Sequence, residues 1–405
     1  MIGHLDADCF YVSAERVRHP DLAGKPVGVL GNQGACVIAK SYEMKAAGVK
    51  TGMPIWEARK LCPDGVYVKR DFRWYEVLSR MMLDIVGEHA EAVEYYSIDE
   101  FFFRAAPLTS RSGLADAAAA VRDHIRDRAG LPVTVAIART RTLAKLFSDT
   151  AKPNGCLAVT TVDQERALLG RLPVTEISGV GGRRAARLAP YGIKSCLDLA
   201  DADGGLVRRV LTSTGFDIWR ELNGFPAQPV RPSRSPHKVL ARGGSLGGDV
   251  SDPRVLWGWA VRNLERLVEE LEYHRVRPGS LSLQIAYKDG IGTGAEGPLD
   301  TPTDRFDLLL DALRPAVRRC WRPGQSATHM HVIAAHLKRA IGEQLTLFRQ
   351  PDPKREAVAR AKRDINAAVG RFAVRSGATL YLPAELYADP SHSYDVCDIR
   401  GKVCF

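Results

Sequence analysis

Two stretches decide the fold of this chain, Asp6-Ala7-Asp8-Cys9-Phe10-Tyr11 and Tyr95-Tyr96-Ser97-Ile98-Asp99-Glu100-Phe101-Phe102-Phe103. Each places carboxylates within an apolar, strand-forming run, which costs free energy unless the buried charge is compensated. Mg²⁺ is a common compensation because it prefers carboxylate oxygens. Asp6, Asp99 and Glu100 could hold the paired ions, about 3.5–4 Å apart, that in-line phosphoryl or nucleotidyl transfer requires. A surface hairpin with solvated acids is the alternative for Asp99 and Glu100 alone; Asp6 favours the metal site.

Composition indicates a globular protein of several domains. The 405 residues exceed the ~100–200 of one domain. A net charge of +10 and a pI near 9.2 suit a polyanionic partner. None of the eight cysteines forms a Cys-x-x-Cys pair, so reduced cytosolic thiols are expected rather than zinc ligands. The sequence shows no signal peptide and no membrane-length apolar run, so we expect a cytoplasmic protein without a membrane partner.

The order of elements in residues 1–164 predicts a ferredoxin-like sheet with helices on one face. Glycine and proline punctuate residues 12–74, which indicates a small inserted lobe. The expected strands are 2–7, 35–39 and 132–137, with a hairpin around Asp99-Glu100. The expected helices are 41–47, 54–62, 72–88, 113–129 and 140–151.

Residues 165–225 are predicted to form compact helices, followed by a proline-rich linker. A separate β-α-β-α-β domain is expected next, with strands near 237–246, 279–287 and 328–337 and helices at 253–275 and 303–321. Within it, Gly247-Gly248-Asp249-Val250 is expected to be a loop. From about 341 the chain is interpreted as a tail with one helix, 354–370, and little else to build a core.

Candidate nucleotide contacts surround the acids. Phe10 and Tyr11 continue from the first acid, and we expect one of them to project from the same strand over the cleft. Tyr42 and Lys45 are three residues apart on one helix face. Lys152 lies in the turn Ala151-Lys152-Pro153-Asn154-Gly155, and lysines bind triphosphates as point charges. A core position for Tyr11, a solvated Lys45 and a helix-terminal Lys152 are the ordinary alternatives.

Two further motifs indicate macromolecular partners. The stretch from Gly179 to Leu188, with Gly181, Arg183, Arg184 and Arg187, is typical of a helix-hairpin-helix that binds duplex phosphates; an ordinary αα-hairpin is the alternative. The pentapeptide Gln344-Leu345-Thr346-Leu347-Phe348 places apolar anchors in a charged segment, which favours docking into a partner's pocket over a strand that folds back.

These motifs, in this order, resemble the Y-family of translesion DNA polymerases over residues 2–348. The resemblance rests on the two acidic stretches, on Ala46–Pro54, on the Lys152 turn and on the Gly179–Leu188 hairpin. It implies an α+β multidomain fold. Its parts are a ferredoxin-like palm (1–11 and 75–164), small fingers (12–74), a helical thumb (165–228), a linker (229–236), a little finger (237–340) and a tail (341–405).

The resemblance also implies residue roles. Asp6, Asp99 and Glu100, with the Ala7 carbonyl, correspond to the ligands of two Mg²⁺ ions, for which Mn²⁺ is a possible substitute. Tyr11 corresponds to the steric gate against ribose. The triphosphate contacts would be Tyr42, Lys45 and Lys152, beside Phe10; Lys45 departs from the arginine found there in many members, which removes a bidentate fork. The DNA contacts would be Gly179, Gly181, Arg183, Arg184, Arg187, Lys238 and Arg242.

The implied function is template-directed, non-proofreading DNA synthesis across damage, with primer-template DNA and deoxynucleotides as substrates. Gln344, Leu345, Leu347 and Phe348 resemble a bacterial sliding-clamp peptide. The tail resembles the UmuC-like branch more than the DinB-like branch, so a UmuD-like accessory subunit is a possible further partner. Two rivals remain: a catalytically dead DNA-binding scaffold, and a nucleotide cyclase built on the same sheet.

Overall fold

The computed structural model describes residues 1–31, 36–105, 113–233, 237–340, 352–370 and 372–383. These residues form two compact units, the first up to residue 233 and the second from residue 237. The division falls within the segment 229–236 that the sequence predicts to be a linker. Among the described helices, none combines the length and the apolar character needed to cross a membrane.

The first unit contains, in chain order, β1 (Ile2–Ala7), α1 (Phe10–Arg18), β2 (Val27–Leu30), β3 (Val37–Lys40), α2 (Tyr42–Ala46), α3 (Ile55–Leu61), β4 (Val66–Lys69), α4 (Phe72–Glu88), β5 (Ala90–Tyr95), β6 (Glu100–Ala105), α5 (Gly113–Ala129), β7 (Val133–Ala138), α6 (Arg141–Ala151), β8 (Cys156–Ala158), α7 (Val162–Leu169), α8 (Gly182–Leu188), α9 (Cys196–Asp201) and α10 (Gly204–Leu222). The second unit contains β9 (Val239–Val250), α11 (Pro253–His274), β10 (Val276–Arg277), β11 (Ser280–Tyr287), β12 (Gly292–Pro298), α12 (Phe306–Cys320), β13 (Ala327–Ala335), β14 (Lys338–Arg339) and α13 (Pro353–Val369).

A sheet in the order β5-β6-β1-β7-β8 forms the centre of the first unit. Its middle strand β1 pairs antiparallel with β6 and β7. The Phe103 ring lies over Gly3, where an added Cβ would come within 2.1 Å of it, so only glycine fits there. The predicted strands at 2–7 and 132–137 and the hairpin around Asp99-Glu100 are therefore confirmed.

Helices cover both faces of this sheet, and the prediction of helices on one face is wrong. The face that carries Ala136 and Ala138 packs against α6, while α5 also contacts β7. Every residue of Val133–Ala138 is buried, as a strand covered on both sides requires. Such an uninterrupted apolar run is itself typical of a sheet that is buried on both faces.

The segment 12–74 carries a separate small sheet in the order β3-β2-β4, packed with α2 and α3 around Val37, Met44 and Ala58. Phe10 and Tyr11 were predicted to continue the strand β1. They lie instead on the first turn of α1. The strand ends at Ala7, and Cys9 adopts a left-handed conformation with φ 47° before the helix begins. The strand prediction failed because a short apolar run suits a helix and a strand equally.

The helices α7 to α10 share a core with α6, in which Leu188, Leu199 and Val207 pack with Phe147. Buried Glu221, on α10, accepts hydrogen bonds from the Thr142 amide at 2.8 Å and from its hydroxyl at 2.6 Å, which fixes α10 to the start of α6. The element before the Gly179 turn is a 3₁₀ turn, Val174–Glu176, rather than the expected α-helix.

The main sheet of the second unit has the order β12-β11-β13-β9, and α11 and α12 pack on it around Leu264, Leu283 and Leu313. The β-α-β-α-β prediction missed β12, so the main elements run β-α-β-β-α-β. The sequence of β12, Gly-Thr-Gly-Ala-Glu-Gly-Pro, has no apolar face because it forms an edge strand with little burial. Gly247–Val250, predicted to be a loop, lies in β9.

Residues 352–370 and 372–383 fold onto the second unit, which corrects the expectation of a tail with little core. Leu382 is 5% exposed and joins the core of this unit, next to a 3₁₀ turn, Gly377–Tyr381, that contacts α11. Glu265 on α11 accepts hydrogen bonds from the Lys362 ammonium at 2.6 Å and from the Ser376 amide at 2.8 Å. The predicted helix at 354–370 is confirmed as α13.

Candidate active site

Strand pairing brings the predicted acids together at one end of the central sheet. Asp6, near the end of β1, lies directly opposite Glu100, the first residue of β6. The Ala7 amide donates a hydrogen bond to the Asp99 carbonyl at 2.9 Å, so the turn before β6 is also tied to β1. Three carboxyl-bearing residues from two separate parts of the sequence thus lie at the same end of the sheet. This end, with Asp6, Asp99 and Glu100, is called the acidic edge below.

Burial makes the charged form of these acids costly. Asp6 is 8% exposed, and burial raises its pKa to about 8, while the ammonium of Lys152 acts in the opposite direction. Burial likewise raises the pKa of Asp99, although the Ser97 hydroxyl donates a hydrogen bond to its carboxylate. Carboxylates held this close favour the binding of a cation.

Two lysines on or next to α6 supply positive charge to this edge. Lys152 lies 2.8 Å from an Asp6 oxygen and 2.9 Å from an Asp149 oxygen. Lys145 pairs with Glu100. Lys145 was not among the predicted site residues, although it lies on the helix predicted over 140–151 that immediately precedes Lys152.

The donor atoms at this edge fit a hard divalent cation in their chemistry, because all of them are carboxylate or carbonyl oxygens. Among the described residues no three or more His, Cys, Asp or Glu side chains are already arranged around a metal position. The ammonium groups of Lys152 and Lys145 are instead the cations nearest Asp6 and Glu100. A divalent ion would therefore compete with two lysines for these carboxylates.

The candidate nucleotide contacts have different environments. Tyr42, 39% exposed, donates a hydrogen bond of 3.4 Å to Asp8, whereas Lys45 is exposed on the same short helix. Phe10 is buried, and Tyr11 is buried with its ring stacked on Tyr75. Lys152 thus contacts the acidic edge and Tyr42 contacts the neighbouring Asp8, while Lys45 has no contact at either place that the structure shows.

Asp8 is a second residue whose role the sequence analysis missed. Its side chain is 2% exposed and lies among donors from three other parts of the first unit. The Asn154 amide donates to it at 2.6 Å and the Thr134 hydroxyl at 3.2 Å. Its position two residues after Asp6 in the first acidic stretch was the available signal.

The predicted DNA contacts are only partly accessible. Arg183 and Arg187 are exposed on α8, Gly181 is exposed at its start, and Arg184 donates a hydrogen bond to the Gly179 carbonyl at 2.6 Å. In the second unit Lys238 is exposed. Arg242, by contrast, is 4% exposed and pairs with Glu270 inside that unit, so its guanidinium is no candidate for a DNA phosphate. The predicted clamp residues Gln344, Leu345, Leu347 and Phe348 lie outside the described residues.

Comparison with known proteins identifies the family. The impB/mucB/samB family matches residues 5–149, and the C-terminal domain of the same family matches residues 237–347. DNA polymerase IV 1 of Bacillus subtilis is 30% identical over 387 residues, covering 94% of this chain and 93% of that protein. Protein UmuC of Salmonella typhimurium is 30% identical over 370 residues, covering 87% of each. The chain is a Y-family translesion DNA polymerase.

Solved structures agree with this assignment at the level of the fold. The polymerase superposes on a Y-family DNA polymerase chimera, Dbh-Dpo4(243-245)-Dbh, with a TM-score of 0.70 and 22% identity, covering 84% of this chain and 99% of that one. Relatives named DNA polymerase IV and UmuC match the polymerase at the same 30% identity, so identity alone does not separate the DinB-like and UmuC-like branches.

Proposed function

We propose that this polymerase transfers deoxynucleotides to a primer 3′-hydroxyl at the edge formed by Asp6, Asp99 and Glu100. The observation that carries the proposal is the pairing of Asp6 with Glu100 across β1 and β6, with Asp99 tied to Ala7. Like charges opposite each other on neighbouring strands destabilise a sheet, and divalent cations would replace the ammonium groups of Lys152 and Lys145 that offset them in the structure.

Asp6, Asp99, Glu100 and the Ala7 carbonyl would hold two Mg²⁺ ions, with Mn²⁺ as a substitute. When bound, such ions activate the primer hydroxyl and neutralise charge on the phosphates. The residues of the chain orient the substrates around them. Lys152 is placed for the triphosphate because its ammonium lies at the acidic edge, with the Tyr42 hydroxyl nearby. Lys45 and Phe10 complete the proposed nucleotide site.

The domain roles are assigned by resemblance to the Y-family. We assign the sheet β5-β6-β1-β7-β8 to the palm, residues 12–74 to the fingers and residues 165–228 to the thumb. The exposed Arg183 and Arg187 of the thumb, with Arg184, Gly179 and Gly181, would contact the DNA backbone. Residues 237–340 would be the little finger, with Lys238 as a phosphate contact.

Two protein partners belong to the same proposal, and both are supported by sequence resemblance. Residues 344–348 would dock on the bacterial sliding clamp through Leu345, Leu347 and Phe348. A UmuD-like accessory subunit is the further partner that similarity to UmuC suggests.

Primer extension on damaged and undamaged templates tests the assignment. We expect Asp99→Asn, which keeps the side-chain shape and removes the charge, to lower the extension rate about a hundredfold or more. Asp163→Asn, at an exposed position on α7, is the matched control and should extend normally. Full extension by Asp99→Asn would show that the site is assigned wrongly. Incorporation that depends on the template would argue against the cyclase alternative, because a nucleotide cyclase does not extend a primer.

A further inference from the structure

The Asp8 carboxylate lies where three segments of the first unit meet. It is buried, and each of its oxygens accepts hydrogen bonds from a different part of the chain. One oxygen accepts from the Asn154 amide at 2.6 Å, and the other accepts from the Tyr42 hydroxyl at 3.4 Å. The Thr134 hydroxyl lies 3.2 Å from both oxygens. Asp8 itself is fixed, because its amide donates to the Pro132 carbonyl at 3.0 Å.

The contact with Asn154 holds a tightly folded turn. Asn154 has φ 51°, a left-handed conformation that is uncommon outside glycine. At Gly155 an added Cβ would lie 2.0 Å from the Ala151 carbonyl oxygen, so the chain folds back closely on the end of α6. The Gly155 carbonyl accepts a hydrogen bond from the Val135 amide at 3.0 Å. Since Lys152 begins this turn, the Asp8 hydrogen bond fixes the backbone from which its ammonium extends.

The Tyr42 hydroxyl is a second donor to Asp8, and Tyr42 also belongs to the proposed nucleotide site. Tyr42 begins α2 in the small lobe, and its side chain is partly exposed while its hydroxyl donates to Asp8. One carboxylate therefore contacts both Tyr42 and the turn that carries Lys152, the two residues that the proposed function assigns to the triphosphate. Hydrogen bonds to a charged acceptor are stronger than neutral ones and restrict their donors more.

We propose that Asp8 is a positioning residue for the incoming nucleotide, which acts through the Lys152 turn and, more weakly, through Tyr42. This inference rests on the proposed role of Lys152 in triphosphate binding. Asp8 does not contact the reacting atoms, and it is not one of the proposed metal ligands. It positions Tyr42 and the Lys152 turn before the nucleotide binds, which lowers the entropic cost of ordering these groups on binding.

Steady-state single-nucleotide incorporation with the full-length enzyme tests this role. Asp8→Asn keeps one acceptor oxygen and replaces the other with a donor, so it cannot accept from both the Asn154 amide and the Tyr42 hydroxyl. We expect the KM for the deoxynucleotide to rise about tenfold and kcat to change less than about threefold. A purely structural role would instead lower the active fraction, and with it kcat, at unchanged KM, and that result would overturn the proposal.

The Lys152→Ala background supplies the decisive comparison. If Asp8 acts through Lys152, then Asp8→Asn should raise the KM much less in that background than in the wild type. Equal, additive increases in KM would refute the proposal. An unchanged KM in Lys152→Ala alone would instead refute the proposed role of Lys152, which separates the two failures.

Thr134→Val serves as a second variant in case Asp8→Asn fails to fold, as judged by thermal unfolding. It removes one hydrogen-bond donor and keeps the carboxylate. We expect the KM to rise about threefold, again dependent on Lys152. A folded Thr134→Val enzyme with unchanged KM, or with an increase that persists in full without Lys152, would count against the inference.

Discussion

Tyr11 is held rigidly for a residue that would test the sugar of a nucleotide. Its ring stacks on Tyr75 with centroids 4.6 Å apart and planes 19° from parallel, and it packs edge-on against Phe72. The Tyr75 hydroxyl in turn donates a hydrogen bond to Glu15 at 2.6 Å, which fixes the ring on which Tyr11 stacks. A ring supported in this way cannot move aside cheaply for a bulkier sugar.

We therefore expect Tyr11→Ala to admit ribonucleotides. The ratio of kcat/KM for deoxynucleotide over ribonucleotide should fall about tenfold or more, because a rigid steric barrier is removed. Tyr11→Phe keeps the ring and should retain the wild-type ratio. Unchanged discrimination in Tyr11→Ala would place the sugar barrier elsewhere.

Single residues were predictable where the local sequence pattern carried the signal. Asp6, Asp99 and Glu100 stood out because acids are costly in apolar strands, and β-pairing did bring their backbones together. Asp8 and Arg242 were harder, since their surroundings come from distant parts of the chain. The partners of Asp8 lie up to 146 positions away in the sequence, and the ion-pair partner of Arg242, Glu270, lies 28 positions away.

At the scale of the element, the sequence predicted long periodic segments closely. The helices at 72–88 and 113–129 end where predicted, since a helix must show its buried face every three or four residues. The edge strand β12 needs no such face and gave no signal. The docking of residues 352–383 was also missed, because a polar helix such as α13 can be solvated or can cover another polar face.

Leu382 provides a test of that docking. It is 5% exposed in the core of the second unit, so Leu382→Ala should lower the local free energy of unfolding by about 2–3 kcal/mol. Leu380, two residues earlier and 70% exposed, is the matched control, and its replacement by alanine should change stability by less than about 0.5 kcal/mol. Hydrogen exchange of the α11 amides measures both; equal protection in the two variants would contradict the packing described above.

At the scale of the whole molecule, the proposed clamp peptide lies between two segments of the second unit. β14 precedes residues 344–348, and α13 follows them. Replacing Leu345, Leu347 and Phe348 with alanine should reduce the number of nucleotides added per binding event when the sliding clamp is loaded, because the apolar anchors are lost. Extension without the clamp should not change.

Thr346→Ala, at the variable position of the Gln-Leu-x-Leu-Phe pattern, is the control and should retain clamp stimulation. If the sliding clamp still stimulates the triple variant, then residues 344–348 do not dock on the clamp.

The attachment of residues 352–383 also has a consequence for how the polymerase is made. The partners of Glu265, Lys362 and Ser376, lie 97 and 111 positions after it in the chain. At a translation rate of roughly 5–20 residues per second, α11 leaves the ribosome about 5–20 s before the groups that cover its polar face. During that interval Glu265, 4% exposed in the finished protein, lacks both of these hydrogen-bond partners. The second unit therefore acquires its final surface late, well after the catalytic sheet has been synthesised.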